Sequence, residues 1–220
     1  MRQCFRAAPH AISTLLATEK AHHAKKRRIA GQAFSETAMR GLEKYVLAHT
    51  QEMIERIGVL VKRPGGEKER WSTALDMQRW CNWLVFDIMG DLVFGKSMGT
   101  LGDQPENREA IRLLGQAARR NYTVAAYPPL MYYGLEKWLP PFRKTFMDRN
   151  KYLAFGKKSV MERTERDKKE GESGRKDIFS YMLHARDPET GQGLPTQELW
   201  MEGNTLIVAG SDTSSTYVRP

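Results

Sequence analysis

The stretch that decides the reading is Leu194-Pro195-Thr196-Gln197-Glu198-Leu199-Trp200-Met201-Glu202-Gly203-Asn204-Thr205-Leu206-Ile207-Val208-Ala209-Gly210-Ser211-Asp212-Thr213-Ser214-Ser215-Thr216. Thr196 offers a hydroxyl cap at a helix start, and Glu198 places an acid in the first turn, where the helix dipole favours it. The apolar run Leu206-Ile207-Val208-Ala209 then meets a block of small and polar residues, Gly210 to Ser215. Such residues in mid-helix compete for backbone hydrogen bonds or leave backbone bare. The pattern predicts a helix that loosens where Asp212 stands beside Thr213, leaving room for a ligand against its backbone. The plainer alternative is that each hydroxyl bonds back to the preceding turn.

Working outward, nearly everything else also reads as helix. Residues 20–34 form a basic helical segment. Ser35 and Glu36 start a second helix, whose Met39, Leu42, Val46, Met53 and Ile57 fall on one stripe. Residues 62–70, with Pro64-Gly65-Gly66, make a loop. Asp76 is placed to cap a third helix. Its apolar positions Met77, Trp80, Leu84, Ile88 and Leu92, widened by Cys81, Trp83, Val85 and Phe86, predict a central helix packed on several sides. Residues 95–102 end it.

Pro105, Glu106 and Glu109 open a fourth helix, with Arg119 and Arg120 near its end in the charge order the dipole favours. Tyr127-Pro128-Pro129 stops it, and an aromatic, Pro-bounded stretch follows over residues 130–141. A fifth helix runs from about Phe142 towards Glu170. Residues 171–174 form a loop, and Asp187-Pro188 with residues 191–195 forms a turn before the last helix. No internal repeat and no alternating strand pattern is present, so the fold class is all-α.

The chain has 220 residues, enough for one domain with a real core, and a formal charge of +9. That excess suits an anionic partner, but many basic residues alternate with acids on helix faces, and scattered solvated charge is the plainer reading. No nucleic-acid-binding motif accompanies it, so no nucleic-acid partner is expected. The two cysteines, Cys4 and Cys81, form no Cys-x-x-Cys and no metal-ligating cluster. A disulfide scaffold is not expected, and Cys81 reads as a buried small hydrophobe. No apolar run approaches the ~20 residues a membrane span needs. Residues 1–18 read as an atypical N-terminal segment, ahead of one domain over residues 19–220.

A second constellation is His23-Ala24-Lys25-Lys26-Arg27-Arg28, followed by Ala33-Phe34-Ser35. His23 and Arg27 are four apart and share a helix face, where imidazole and guanidinium suit a carboxylate or phosphate. A third is Phe86-Asp87-Ile88-Met89-Gly90-Asp91-Leu92-Val93-Phe94-Gly95, an apolar block fit for core packing.

These three blocks, in this order, resemble the cytochrome P-450 family. Ala209-Gly210-Ser211-Asp212-Thr213-Ser214 is similar to the family's Ala/Gly-Gly-x-Asp/Glu-Thr-Thr/Ser, on the helix that crosses the distal face of haem. The His-x-x-x-Arg block is similar to the helix whose side chains bind the haem propionates, and residues 86–95 are similar to a packing helix of fungal members. The resemblance covers about residues 18–216. It implies a haem-thiolate monooxygenase that inserts one oxygen atom into an apolar small molecule, with haem b as cofactor and NADPH–cytochrome P-450 reductase as electron donor. The closest kin it implies are fungal secondary-metabolism or detoxification hydroxylases. It implies catalytic roles for Asp212 and Thr213 in proton relay to oxygen. It also implies cofactor contacts for His23, Arg27, Ala209 and Gly210, and a substrate-entry lid over residues 122–138.

The pattern is incomplete. The family's proximal ligand Cys, in Phe-x-x-Gly-x-Arg-x-Cys, has no counterpart in these 220 residues, and neither Cys4 nor Cys81 has its context. The metal ligand is therefore absent from this chain. The family's later Glu-x-x-Arg and its amino-terminal sheet are not matched either. The expectation is a partial fold, inactive as it stands. The alternative is a haem-free helical interaction protein, or a gene-model or pseudogene fragment, derived from the same family. A full-length relative would sit on the endoplasmic reticulum membrane; for this chain, without an anchor segment, the expectation is cytoplasmic or unknown.

Overall fold

A computed structural model describes residues 12–61, 74–171 and 175–218. The helices are α1 (Lys20–Gln32), α2 (Glu36–Val61), α3 (Met77–Phe94), α4 (Glu109–Ala126), α5 (Pro129–Tyr132), α6 (Pro140–Glu170), α7 (Ile178–His184) and α8 (Thr196–Val218). Short 3₁₀ turns occur at Thr14–Leu16, Pro105–Arg108 and Leu135–Lys137. Among the described residues there is no strand, as the all-α reading requires. The loop expected over residues 62–70, most of the loop at 171–174, and Cys4 lie outside the described residues.

The broad apolar face of α3 makes it the centre. The Asp76 carboxylate accepts from the Arg79 N–H and starts the helix. Gly95 ends it at φ 63°, a left-handed cap that disfavours any side chain. Between these stops α3 buries Trp80, Cys81, Leu84, Val85, Phe86, Leu92, Val93 and Phe94. Phe86, Val93 and Phe94 meet Val160, Phe179, Met182, Leu199 and Ile207 in the main core. Each such side chain contributes about 1.5–3 kcal/mol when taken from water. Two acids of the 86–95 block do structural work beside them. Asp87 accepts from the N–H groups of Thr100 and Leu101, each at 2.9 Å, which folds the chain back after α3. Asp91 holds His49 and Arg175.

The most extensive helix packing is between α3 and α8 and between α4 and α6. The α8 helix is uninterrupted, which corrects the expectation of a loosened segment. Hydroxyls of Ser211, Thr213 and Thr216 donate to the carbonyls of Ile207, Ala209 and Asp212 at 2.6, 2.6 and 2.9 Å. Bonded back in this way, they stop competing with the ladder. Thr196 also proves to be the first helical residue rather than its cap; the Pro195 carbonyl accepts from Glu198 and Leu199. Gly210 lets α8 approach α3 closely, since a Cβ there would meet Met89 Sδ at 2.7 Å.

The basic run of α1 is not a solvated face. Lys26 is fully buried, with Nζ 2.9 Å from Glu198 and 3.0 Å from Glu202. Arg28 pairs with Asp187 and Glu189, His22 with Glu198, and Lys25 with the Gln192 side chain. The acids come from residues far along the chain, so α1 is stapled to α8 and to the turn before it. Two helices were not expected: the short α5, and α7, capped by the Asp177 carboxylate on the Ser180 N–H.

Candidate functional site

A cleft of about 220 Å³ opens where α4, α6, α8 and the Thr14–Leu16 turn converge. Leu16, Leu114, Ala117, Leu153, Val208 and Ala209 give it apolar walls. Leu114, Ala117, Ala118 and Tyr122 recur at helical spacing on one face of α4, and the N-terminal turn closes one side. A larger surface hollow of about 680 Å³ lies beside Trp138, but Arg112, Arg143, Lys144, Asp148 and Lys151 line it, and it is an open, charged valley.

Of the residues singled out on α8, Ala209 and Asp212 line the cleft. The Asp212 carboxylate forms no hydrogen bond or ion pair with another described residue. Thr213 is exposed one residue further, its hydroxyl 2.6 Å from the Ala209 carbonyl. Gly210 is turned toward Met89 of α3 rather than the cleft.

His23 and Arg27 lie elsewhere, on α1, and do not line the cleft. His23 is half-buried and Arg27 exposed, and neither side chain is hydrogen-bonded or ion-paired to another described residue. Their neighbours His22, Lys25, Lys26 and Arg28 are all engaged. The i, i+4 pair is thus the part of the 22–28 run left with binding capacity. Glu202, which anchors α1 to α8, precedes Ala209 by seven residues, about 10 Å along the helix axis.

The surrounding charges are fixed by their partners. The hydrogen bond from Arg28 holds the Asp187 carboxyl down, to about 2, and so keeps it ionised in the staple. The Tyr152 phenol, buried at the cleft, is pushed up by desolvation and stays neutral. Sequence reading missed Ser13, Tyr152 and Asn204 as cleft residues. They come from three distant segments, and only the small-residue stripe of α4 carried a local signal. Tyr122 does reach the cleft, whereas Tyr132, Tyr133 and Trp138 of the aromatic stretch point largely to solvent, at 81%, 69% and 81% exposure.

The family model described as Cytochrome P450 matches residues 4–219. The chain belongs to the cytochrome P450 family. It is 33% identical over 208 residues to "Cytochrome P450 monooxygenase AKT7" of Alternaria alternata, covering 94% of this chain and 38% of that protein. It is 35% identical over 213 residues to a "Cytochrome P450 monooxygenase" of Gibberella zeae, covering 96% and 47%. An "Averantin hydroxylase" of Dothistroma septosporum is 29% identical over 208 residues, covering 93% and 35%. A crystal structure of the cytochrome P450DA heme domain superposes with a TM-score of 0.71 at 20% identity, covering 90% of this chain and 39% of that one, which establishes the fold. The chain therefore spans less than half the length of the curated relatives it matches, a partial P450 fold.

Haem, which the family implies, meets only part of what it needs here. Ala209 and Asp212 give one wall, and His23 with Arg27 gives two unengaged side chains suited to anions. Cys81, the cysteine among the described residues, is buried in α3 and does not reach the cleft. A thiolate-ligated iron site is thus not assembled from the described residues. None of their His, Cys, Asp and Glu clusters is fit for a metal ion either, and no helix among them is long and apolar enough to cross a membrane.

Proposed function

We propose that this chain supplies the oxygen-side wall and the propionate clamp of a haem-thiolate monooxygenase acting on an apolar small molecule. Bound haem with a thiolate ligand supplies the oxygen-activating chemistry. In this reading Ala209 keeps the α8 backbone close to the macrocycle, while Gly210 seats α8 against Met89 of α3. Asp212 and Thr213 hold and pass protons on the oxygen side: the Asp212 carboxylate faces the cleft, and the Thr213 hydroxyl is oriented by the Ala209 carbonyl. His23 and Arg27 take the propionates, for which an imidazole and a guanidinium on one helix face are suited. Electrons come from NADPH–cytochrome P450 reductase, as for a full-length relative at the endoplasmic reticulum membrane.

One observation carries this reading: Ala209 and Asp212, the heart of the α8 motif, line a largely apolar cleft, and the Asp212 carboxylate is paired with no other described residue. In this reading the 220 residues on their own are inactive, since Cys81, the described cysteine, does not reach that cleft. The test is to titrate the purified chain with haem, then reduce it and add carbon monoxide. Haem uptake weakened by Arg27→Ala and His23→Ala, with no thiolate-type Soret shift, is the expected result. A normal thiolate-type shift overturns the inactivity. Haem uptake indifferent to both substitutions overturns the clamp.

A further inference from the structure

We infer that the cleft selects a neutral, mostly apolar molecule that carries a hydroxyl or carbonyl group, and that Ser13 and Tyr152 are the side chains that recognise it. This rests on the reading of the cleft as the substrate chamber proposed above. Ser13 is fully buried and lines the cleft, yet its Oγ has no hydrogen-bond partner. Tyr152, at 3% exposure, lines the facing wall on α6, and its phenol is not hydrogen-bonded to another described residue. The amide oxygen of Asn204, a third lining residue, is also buried without a partner.

Orphaned polar groups cost free energy when buried, and most such groups in proteins are paired. Ser13 Oγ is such a group, and it shares one small apolar cleft with the Tyr152 phenol; a ligand that completes their hydrogen bonds accounts for both. The ligand's class follows from the walls. Leu16, Leu114, Leu153 and Val208 require an apolar body. Serine and tyrosine hydroxyls donate and accept, which matches hydroxyl or carbonyl oxygen. Asp212 and Arg149 put opposite charges in the lining, so the cleft carries no net charge to draw an ion. A site built to bond a ligand oxygen rejects the analogue that lacks it, because its own groups then stay unpaired.

The test uses the 220-residue chain and two probes matched in shape, 2-naphthol and naphthalene, in equilibrium dialysis. The expected result is that 2-naphthol binds roughly ten-fold tighter. Ser13→Ala and Tyr152→Phe each reduce that preference several-fold and leave naphthalene binding unchanged. Ser13→Ala does not lower the melting temperature, since it removes a hydroxyl that nothing satisfies. Equal binding of both probes overturns the polar recognition and leaves the cleft as an apolar chamber. Binding of neither probe overturns the chamber itself, and the inference with it. Variants that weaken both probes alike show that the two residues act on the fold, which also overturns the assignment.

Discussion

Lys26 Nζ lies 3.0 Å from Glu202 Oε1, and both residues are buried. The same carboxylate oxygen accepts from the N–H and hydroxyl of Thr14 at 2.6 and 2.8 Å. One acid on α8 therefore gathers α1 and the N-terminal turn, fixing the His23/Arg27 face relative to Ala209 and Asp212. Lys26 also sits between Glu198 and Glu202, two acids a helical turn apart that would otherwise repel. Lys26→Met takes from buried Glu202 its cation partner and should cost up to about 3–5 kcal/mol in urea unfolding. Adding Glu202→Gln should recover part of that loss; an unchanged midpoint in the single variant would refute the staple.

His49 should make stability depend on pH near neutrality. Its Nε2 lies 3.1 Å from Asp91 Oδ2, and this hydrogen bond, with the charges of Asp91, Asp87 and Glu52, raises its pKa against the opposing effect of burial. Arg175, also on Asp91, shares the carboxylate. A group whose folded pKa lies above the unfolded 6.5 contributes fully below that value and loses its contribution as pH rises through the folded value. Stability measured by urea should therefore fall as pH climbs above about 6.5, and His49→Gln should flatten that slope.

Asp187 should act on the acid side with the opposite sign. Its folded pKa of about 2 lies below the ordinary 3.8, so its contribution is present above 3.8 and lost as pH falls toward 2. Asp187→Asn should be less stable than the parent at neutral pH, and the two should converge in acid. A constant difference down to the acid limit would show that Arg28 gains nothing from the charge.

How much of this was legible depends on distance along the chain. The stripe of α2 from Leu42 onward, the broad face of α3 and the Asp76 and Gly95 stops are local, and the sequence expressed them directly; Met39, placed on that stripe, is exposed, and Ala38 is buried in its stead. The three family blocks were readable because each is contiguous. The fate of the basic run was not. Lys26 and Arg28 find their acids at residues 187–202, and nothing local distinguishes an inward-facing lysine from a solvated one. Arg120 looked like a charge placed for the helix dipole, yet it is buried against Glu136. The α7 helix is held by Ile178, Phe179 and Met182 in the core; the Asp177 cap was its one local sign. Ser13, Tyr152 and Asn204 carried no signal, since only folding brings them to one cleft.

Gly210 should resist even alanine. A methyl there would press on Met89, with Cγ at 3.2 Å and Sδ at 2.7 Å. Alanine gains about 1 kcal/mol of helix propensity over glycine, but overpacking costs about 1–3 kcal/mol. The net effect of Gly210→Ala should be a loss of up to about 2 kcal/mol, from those two ranges. Met89→Ala in the same chain should remove the clash, so a double-mutant cycle should show favourable coupling. Additive effects would mean that α3 and α8 have slack at this crossing.

The aromatic stretch after α4 should be a separately releasable unit. Over residues 127–139 the buried residues are Leu130 and Glu136. Leu130 packs with Val124, Met131 and Phe142. Glu136 is held by Arg120, with Nε 2.7 Å from Oε2 and a second contact to Oε1. Glu136→Leu removes the buried carboxylate that holds the Arg120 guanidinium, a defect worth up to about 3–5 kcal/mol. Because the stretch has so few other anchors, the cost should appear locally as a freed segment. Hydrogen exchange over residues 127–139 should accelerate strongly, while α3 keeps its protection. Tyr122 lies two residues from Arg120 and lines the cleft, so the same variant should admit bulkier ligands there. Uniform acceleration across α3 and α8 would instead make the Arg120–Glu136 pair a support of the whole fold.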